Sequence, residues 1–195
     1  MSVVLRLLTD HDLVAAIDDL ARLRIHVFAT FPYLYDGDLA YEADYLRGFA
    51  AAPGATLVAA CDGGSIVGAA TASSMSAQAA EFRAPLEARG IDTDRMFYFG
   101  ESVLLPAWRG RGIGHAFFDH REAAARRVGA SVACFAAVIR PETHPERPAS
   151  YTPLDGFWRK RGYAPMPGLV TELAWKDHGE EIESAKAMQI WLRQL

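Results

Sequence analysis

The chain has 195 residues, 51% of them hydrophobic and 23% charged, with a formal net charge of −4. That size suits one compact domain with a sizeable core. The acidic balance excludes the basic footprint of a nucleic-acid binder. The two cysteines, Cys61 and Cys134, lie far apart in apolar runs. They make no disulfide framework and fit a reducing compartment. The start of the chain, Met1-Ser2-Val3-Val4-Leu5-Arg6, has no signal-peptide apolar stretch, and no uncharged run is long enough to span a bilayer. A cytoplasmic protein, free of membrane, is expected.

Residues 2–8 read as a first strand. Thr9 then offers a hydroxyl cap with Asp12 three residues on. Leu13, Ala16, Ile17, Leu20, Leu23, Val27 and Phe31 mark one face of a helix that Pro32 ends. The aromatic loop Tyr33-Leu34-Tyr35-Asp36-Gly37-Asp38 leads to a second helix over residues 39–50. Strands are expected at 55–60 and 65–72, joined by the turn Asp62-Gly63-Gly64. A helix over 76–89 follows, then an aromatic and branched strand over 96–105 and a helix over 112–128. Residues 131–139 form a continuous apolar run, the pattern of a strand buried on both faces. A proline-rich loop spans 140–153, a short helix 154–161 and a strand 169–175. Ile182, Ala185, Met188, Leu192 and Leu195 make an apolar stripe at helical spacing, which predicts a closing helix over 180–195. That helix would pack on its own domain or, second, at a homodimer contact.

The most informative stretch is Arg109-Gly110-Arg111-Gly112-Ile113-Gly114, set between a strand and a helix. A helix start carries unpaired N–H groups and partial positive charge, and glycines let an anion come close. A Walker loop would need Gly-Lys-Ser or Gly-Lys-Thr, which is absent. A dinucleotide fingerprint would need a glycine where His115 stands and an acid in the next strand.

Arg109-x-x-Gly112-x-Gly114 resembles the (Q/R)-x-x-G-x-(G/A) signature of the GNAT-type N-acetyltransferase superfamily. Phe157-Trp158-Arg159-Lys160-Arg161-Gly162-Tyr163 is similar to a later segment of that family. The resemblance implies an α+β single-domain fold. Its mixed, mostly antiparallel sheet would be splayed at the cofactor strand and flanked by helices, here with the extra C-terminal helix. An N-acetyltransferase domain would occupy residues 1–177, and 178–195 would be that helix.

By the same resemblance, acetyl-CoA is the cosubstrate; no H-x-x-x-H or C-x-x-C spacing appears, so no metal site is expected. Backbone groups of Ser102, Val103 and Leu104 would bond the pantetheine. The N–H groups of Arg109, Gly110, Arg111, Gly112, Ile113 and Gly114 would hold the pyrophosphate. The acetyl group would pass to an amine of a small molecule or peptide by direct attack on the thioester. An alkylamine with a pKa near 10.4 must first lose a proton, and Glu101, the only acid in its strand, is the candidate base. An ion-paired or edge-facing glutamate is the alternative for that residue. The family's usual tyrosine aligns with Trp158, which has no useful acidity, so Tyr151 is the substitute acid. Cys134 and Cys61 read as inert core thiols.

Tyr33 and Tyr35 are the candidate acceptor-binding residues, with a packed connector as the bland alternative. The charged loop from Arg140 to Pro148 is expected to be a substrate-shaping lid. The competing reading is a non-catalytic acyl-CoA-binding or sensing module of the same fold.

Overall fold

A computed structural model describes residues 3–195. Strand β1 (Val4–Leu8) precedes helices α1 (Asp10–Phe28) and α2 (Leu39–Ala50), and a hairpin of β2 (Thr56–Asp62) and β3 (Ser65–Ser74) follows. Helix α3 (Ala80–Glu87), strand β4 (Met96–Leu104), helix α4 (Ile113–Arg127) and strand β5 (Val132–Val138) come next. Helix α5 (Asp155–Lys160) and strands β6 (Ala164–Trp175) and β7 (Ser184–Gln194) complete the chain. The seven strands form one sheet in the order β1-β2-β3-β4-β5-β7-β6. All neighbours are antiparallel except β4 and β5. Ser2 of the expected first strand lies outside the described residues.

Strand periodicity sorts the core into two layers. Leu57 and Ala59 of β2 face α1 and α2, where Ile17, Leu20 and Leu46 are buried. Val58 and Ala60 face the other way, against Ile113 and Phe117 of α4. Strand β5 is covered on both faces as its sequence predicts: Cys134 and Ala136 lie with Phe82 and Leu86 of α3, and Ala133 and Phe135 with Phe118 of α4. Among the described residues no helix is long and apolar enough to cross a membrane.

Two irregularities in β4 shape everything that follows. Its pairing with β5 covers only Met96–Tyr98 against Val132–Cys134, so the sheet opens between the two strands from Phe99 onward. A bulge also interrupts its pairing with β3, where Ala70 opposes Ser102 but Ala72 opposes Phe99. Gly100 sits inside this bulge, where an added Cβ would lie 2.6 Å from Thr71 Oγ1. The extra residue reverses the alternation of the strand. Phe97 and Phe99 face α4, whereas Glu101 faces α1.

The closing segment differs from the expected helix. Residues 178–195 are no appendage: Ser184–Gln194 is a strand hydrogen-bonded between β5 and β6. Its true period is two, with Lys186, Met188 and Ile190 buried in succession. Lys186 interrupts the apolar alternation, and the competing stripe of threes and fours includes Ile182, which is 78% exposed. Other differences are smaller. Helix α1 ends at Phe28, before the cis Phe31–Pro32 bond. Thr9 caps it without a side-chain hydrogen bond. The helix expected from Ser76 begins at Ala80, after a 3-10 turn over Met75–Ala77. The last predicted strand is longer, starting at Ala164, with an irregularity between Pro165 and Val170 where Gly168 takes a positive φ.

Candidate functional site

The glycine loop crosses from β4 to α4 beside the opening. A 3-10 turn over Pro106–Trp108 leads into it, and the Arg109 N–H donates to the Pro106 carbonyl at 3.1 Å. That N–H is therefore spent, contrary to the expectation for Arg109. Its side chain instead ties the loop down, with Nε donating to the Leu104 carbonyl at 3.2 Å. Gly112 caps α4 at φ 80°, in the left-handed region. An added Cβ there would meet nothing, so conformation rather than space selects glycine. The N–H groups of Gly110, Arg111, Gly112, Ile113 and Gly114 have no backbone acceptor among the described residues. No acid lies in the first turn of α4, and the exposed Arg111 lies 4.7 Å over Trp108. This cluster of donors at a positive helix end fits a phosphate group.

The phase of β4 decides which backbone groups face the opening. The Leu105 N–H donates to Val67 O at 3.0 Å, and the Val103 carbonyl points at Gly68, 3.0 Å from where a Cβ would be. Backbone groups alternate in direction along a strand. Val103 thus faces β3, with a side chain that is 0% exposed. Of the three residues expected to bond a pantetheine arm, Ser102 and Leu104 turn N–H groups to the gap and Val103 turns its backbone toward β3.

On the opposite face, Glu101 enters a charged network that no local motif announces. Arg24 of α1 bridges Glu101 and Glu42 of α2. The three side chains are only 10%, 11% and 2% exposed respectively for Arg24, Glu101 and Glu42. The Arg24 guanidinium also lies 4.3 Å over the ring of Tyr45, whose hydroxyl donates to Glu101 Oε2 at 3.5 Å. Two carboxylates against one guanidinium leave a net negative charge, which suits an ammonium group. Burial pushes the Tyr33 phenol up to about 12, with help from the nearby charge of Glu101 and from Tyr151. Tyr33 lies 4.7 Å from Phe28, over which the Arg24 guanidinium sits at 5.3 Å, so it borders the Arg24–Glu101 pair. Tyr35 pairs through its backbone with Asp177 in an isolated bridge, and burial, then a hydrogen bond to Glu42, raises its phenol.

Tyr151 lies edge-on to Phe31 at 4.7 Å and beneath the Arg147 guanidinium at 4.9 Å. Burial raises its phenol, so it stays protonated at neutral pH. The loop that carries it is anchored by Arg140. That guanidinium donates to the carbonyls of Pro32 and Tyr33, both at 2.8 Å, and pairs with Asp177 at 2.8 Å. The 140–153 loop and the connector after α1 are thereby fastened together at one end of the opening. Trp158 packs 5.0 Å from Phe135 and 5.1 Å from Trp191. Its neighbour Phe157 meets His115 at the start of α4, with ring centroids 4.8 Å apart. The two sequence segments that resemble the acetyltransferase family thus touch. Cys134 is fully buried, and burial holds its thiol well above the ordinary range, as an inert core thiol requires.

Arg24, Glu42 and Arg121 were not singled out by sequence, though a signal existed. Each is a charged residue standing on an apolar stripe: Leu20-Arg24-Val27, Glu42-Leu46-Phe49 and Phe117-Arg121-Ala124. Arg121 is 1% exposed, and its Nη1 donates to the carbonyls of Thr71 and Glu101 at 3.3 and 3.1 Å. It satisfies both carbonyls that the bulge leaves out of the ladder.

A seven-stranded mixed sheet thus opens beside a glycine-capped helix. The model of the GNAT acetyltransferase family matches residues 20–148. The chain belongs to the GNAT acetyltransferase family. No curated protein sequence matches it. Among solved structures it is similar to a ribosomal-protein-alanine N-acetyltransferase from Brucella melitensis. The two superpose with a TM-score of 0.65 at 13% identity, over 98% of this chain and 99% of that one. It is also similar to yncA of Salmonella typhimurium, solved with its cofactor acetyl-CoA, at a TM-score of 0.61 and 12% identity over 100% and 95% of the chains. A paia N-acetyltransferase from Thermoplasma acidophilum, in complex with coenzyme A, gives 0.56 and 10% over 100% of both chains. At such identities these likenesses concern the fold.

Proposed function

We propose that the chain transfers an acetyl group from acetyl-CoA to an amine by direct attack of the amine on the thioester. The observation that carries this reading is the opening between β4 and β5, with free N–H donors at one end and a largely buried acid, Glu101, 11% exposed, facing the other side. The N–H groups of Gly110 to Gly114 hold the pyrophosphate, and the Ser102 and Leu104 N–H groups bond the pantetheine arm. That arm enters from the α4 face. The amine approaches from the face of α1, where Glu42 and Glu101 outnumber Arg24 and attract it as an ammonium. Glu101 accepts its proton, directly or through one water. The wall is aromatic, formed by Phe31, Tyr33 and Tyr151, which favours an amine with an apolar or aromatic body. Tyr151 is the group that can later give the departing thiolate a proton.

The second reading, a non-catalytic acyl-CoA-binding module, draws support from the ion pair that Arg24 makes with Glu101. Glu101→Gln separates the two. An enzyme loses turnover with acetyl-CoA binding retained, measured by thiol release and calorimetry. A sensing module shows no turnover with any amine while still binding the thioester.

A further inference from the structure

On the α4 side of the opening a buried cation has no acid bonded to it among the described residues. Arg121 is 1% exposed, and its partners are the carbonyls of Phe117, Thr71 and Glu101 and the hydroxyl of Ser102, at 2.9 to 3.3 Å. Its guanidinium lies 4.4 Å over Phe99 and 4.8 Å over Phe118. The charged groups around it are engaged elsewhere. Glu101 of β4 is paired with Arg24, and Glu122 of α4 is bonded by Arg161, Arg193 and Tyr163. Burial lowers Arg121 to about 10, so it keeps its proton at neutral pH. Satisfying bulge carbonyls accounts for its hydrogen bonds. It does not account for a charge, which is costly to bury without a counter-ion. A buried cation beside a cleft stabilises an anion that forms there.

Ser102 connects the two. Arg121 Nη2 donates to Ser102 Oγ at 2.9 Å, so the hydroxyl is an acceptor on that side and its own proton points elsewhere. Ser102 is exposed and lies on the part of β4 that has left β5. We propose that the Ser102 hydroxyl, oriented and polarised by Arg121, donates a hydrogen bond to the thioester sulfur and stabilises its negative charge as the C–S bond breaks. This rests on the acetyltransferase reading. In that step the neutral amine nitrogen, its first proton already passed through Glu101 to solvent, bonds the acetyl carbon, and its surplus proton leaves toward the again ionised Glu101. The C–S electron pair stays on sulfur, and Ser102 keeps its proton. The thiolate then takes a proton from Tyr151 or water. Ser102 touches the reacting atom, and Arg121 is a positioning residue. The task is one that α5 leaves open, since Trp158 is packed between Phe135 and Trp191.

The test is to titrate the thiol of CoA bound to the protein by its thiolate absorbance, in wild type, Ser102→Ala, Ser102→Thr and Arg121→Met. A thiol ordinarily ionises near 8.5. The bound thiol of the wild type should ionise at least about one pH unit below free CoA, because a charge-assisted bond is worth roughly a tenfold shift or more. Ser102→Ala and Arg121→Met should return it to the free value, and Ser102→Thr should keep the shift. Ser102→Ala should also lower kcat by roughly 10- to 100-fold with KM for acetyl-CoA within about twofold. If Arg121→Met does not fold, the two Ser102 variants decide. A wild-type bound thiol that titrates like free CoA, or a Ser102→Ala protein unchanged in both readouts, overturns the proposal. A wild type that binds no CoA at all removes the acetyltransferase reading, and this inference with it.

Discussion

The two faces of the opening between β4 and β5 are built by different means. On the α4 side, backbone groups do the work: a helix start, a glycine at φ 80° and N–H donors within five consecutive residues. On the α1 side, side chains do it, and they come from α1, α2 and β4, with Arg24, Glu42 and Glu101 spread over 78 positions. A backbone site needs a local conformation, so it leaves a local signature. A side-chain site needs only that the fold bring its members together, so it leaves almost none.

The comparison predicts that changes on the two faces separate binding from rate. Glu101→Gln should cut kcat by roughly 10²- to 10⁴-fold, the range for loss of a general base. Acetyl-CoA affinity should stay within about twofold by calorimetry. Raising the pH toward the amine's own pKa, near 10.4, should restore part of the rate, because the free amine then no longer needs a base. Equal loss of binding and rate would break the division between the faces.

Arg24→Met leaves two buried carboxylates without their cation. Removing one partner of a buried pair costs about 3–5 kcal/mol. At about 2–4 °C per kcal/mol for a chain of this size, a calorimetric melt should drop by roughly 6–20 °C. Glycine-loop variants should melt only roughly 2–8 °C below wild type, which sharpens the contrast. Gly112→Asp instead strains a left-handed position by about 1–2 kcal/mol. It also sets a negative charge at the donor cluster, where an anion should bind. Acetyl-CoA affinity should fall by about 10- to 100-fold, read by titration, with kcat at saturation largely kept.

The smallest effect concerns alkaline pH. The Tyr33 phenol is raised to about 12 by burial and by Glu101. The folded state therefore holds this proton where the unfolded chain, ionising near 10, has lost it. Its contribution is fully present below pH 10 and is lost as the pH rises toward 12. Tyr33→Phe should flatten that part of the stability curve, measured by denaturant unfolding at pH 9, 10.5 and 12. An unchanged slope would place Tyr33 away from the charge of Glu101.

Much of this was legible in the residues. Helix α2 has the expected bounds, 39–50. The hairpin turn, the doubly buried β5 and the glycine-capped α4 follow from patterns of period, glycine and cap. What escaped did so for physical reasons. The bulge at Gly100 reverses the facing of Glu101, and alternation alone cannot register one extra residue. Buried Lys186 hid the period of β7. Arg24, Glu42 and Arg121 sit on apolar stripes, where a charge reads as an interruption of the core until its partner is known. Local rules failed where charge is buried, and two of those places, at Arg24 and Arg121, border the opening.

The most direct test of the account is calorimetric titration with acetyl-CoA of the wild type, Glu101→Gln and Gly112→Asp proteins, followed by thiol release with a panel of amines. The account predicts micromolar binding to the wild type, the same binding with turnover lost in Glu101→Gln, and weakened binding in Gly112→Asp. Absence of binding to both acetyl-CoA and free CoA by the folded wild type would contradict it, and the glycine loop would then be a structural turn.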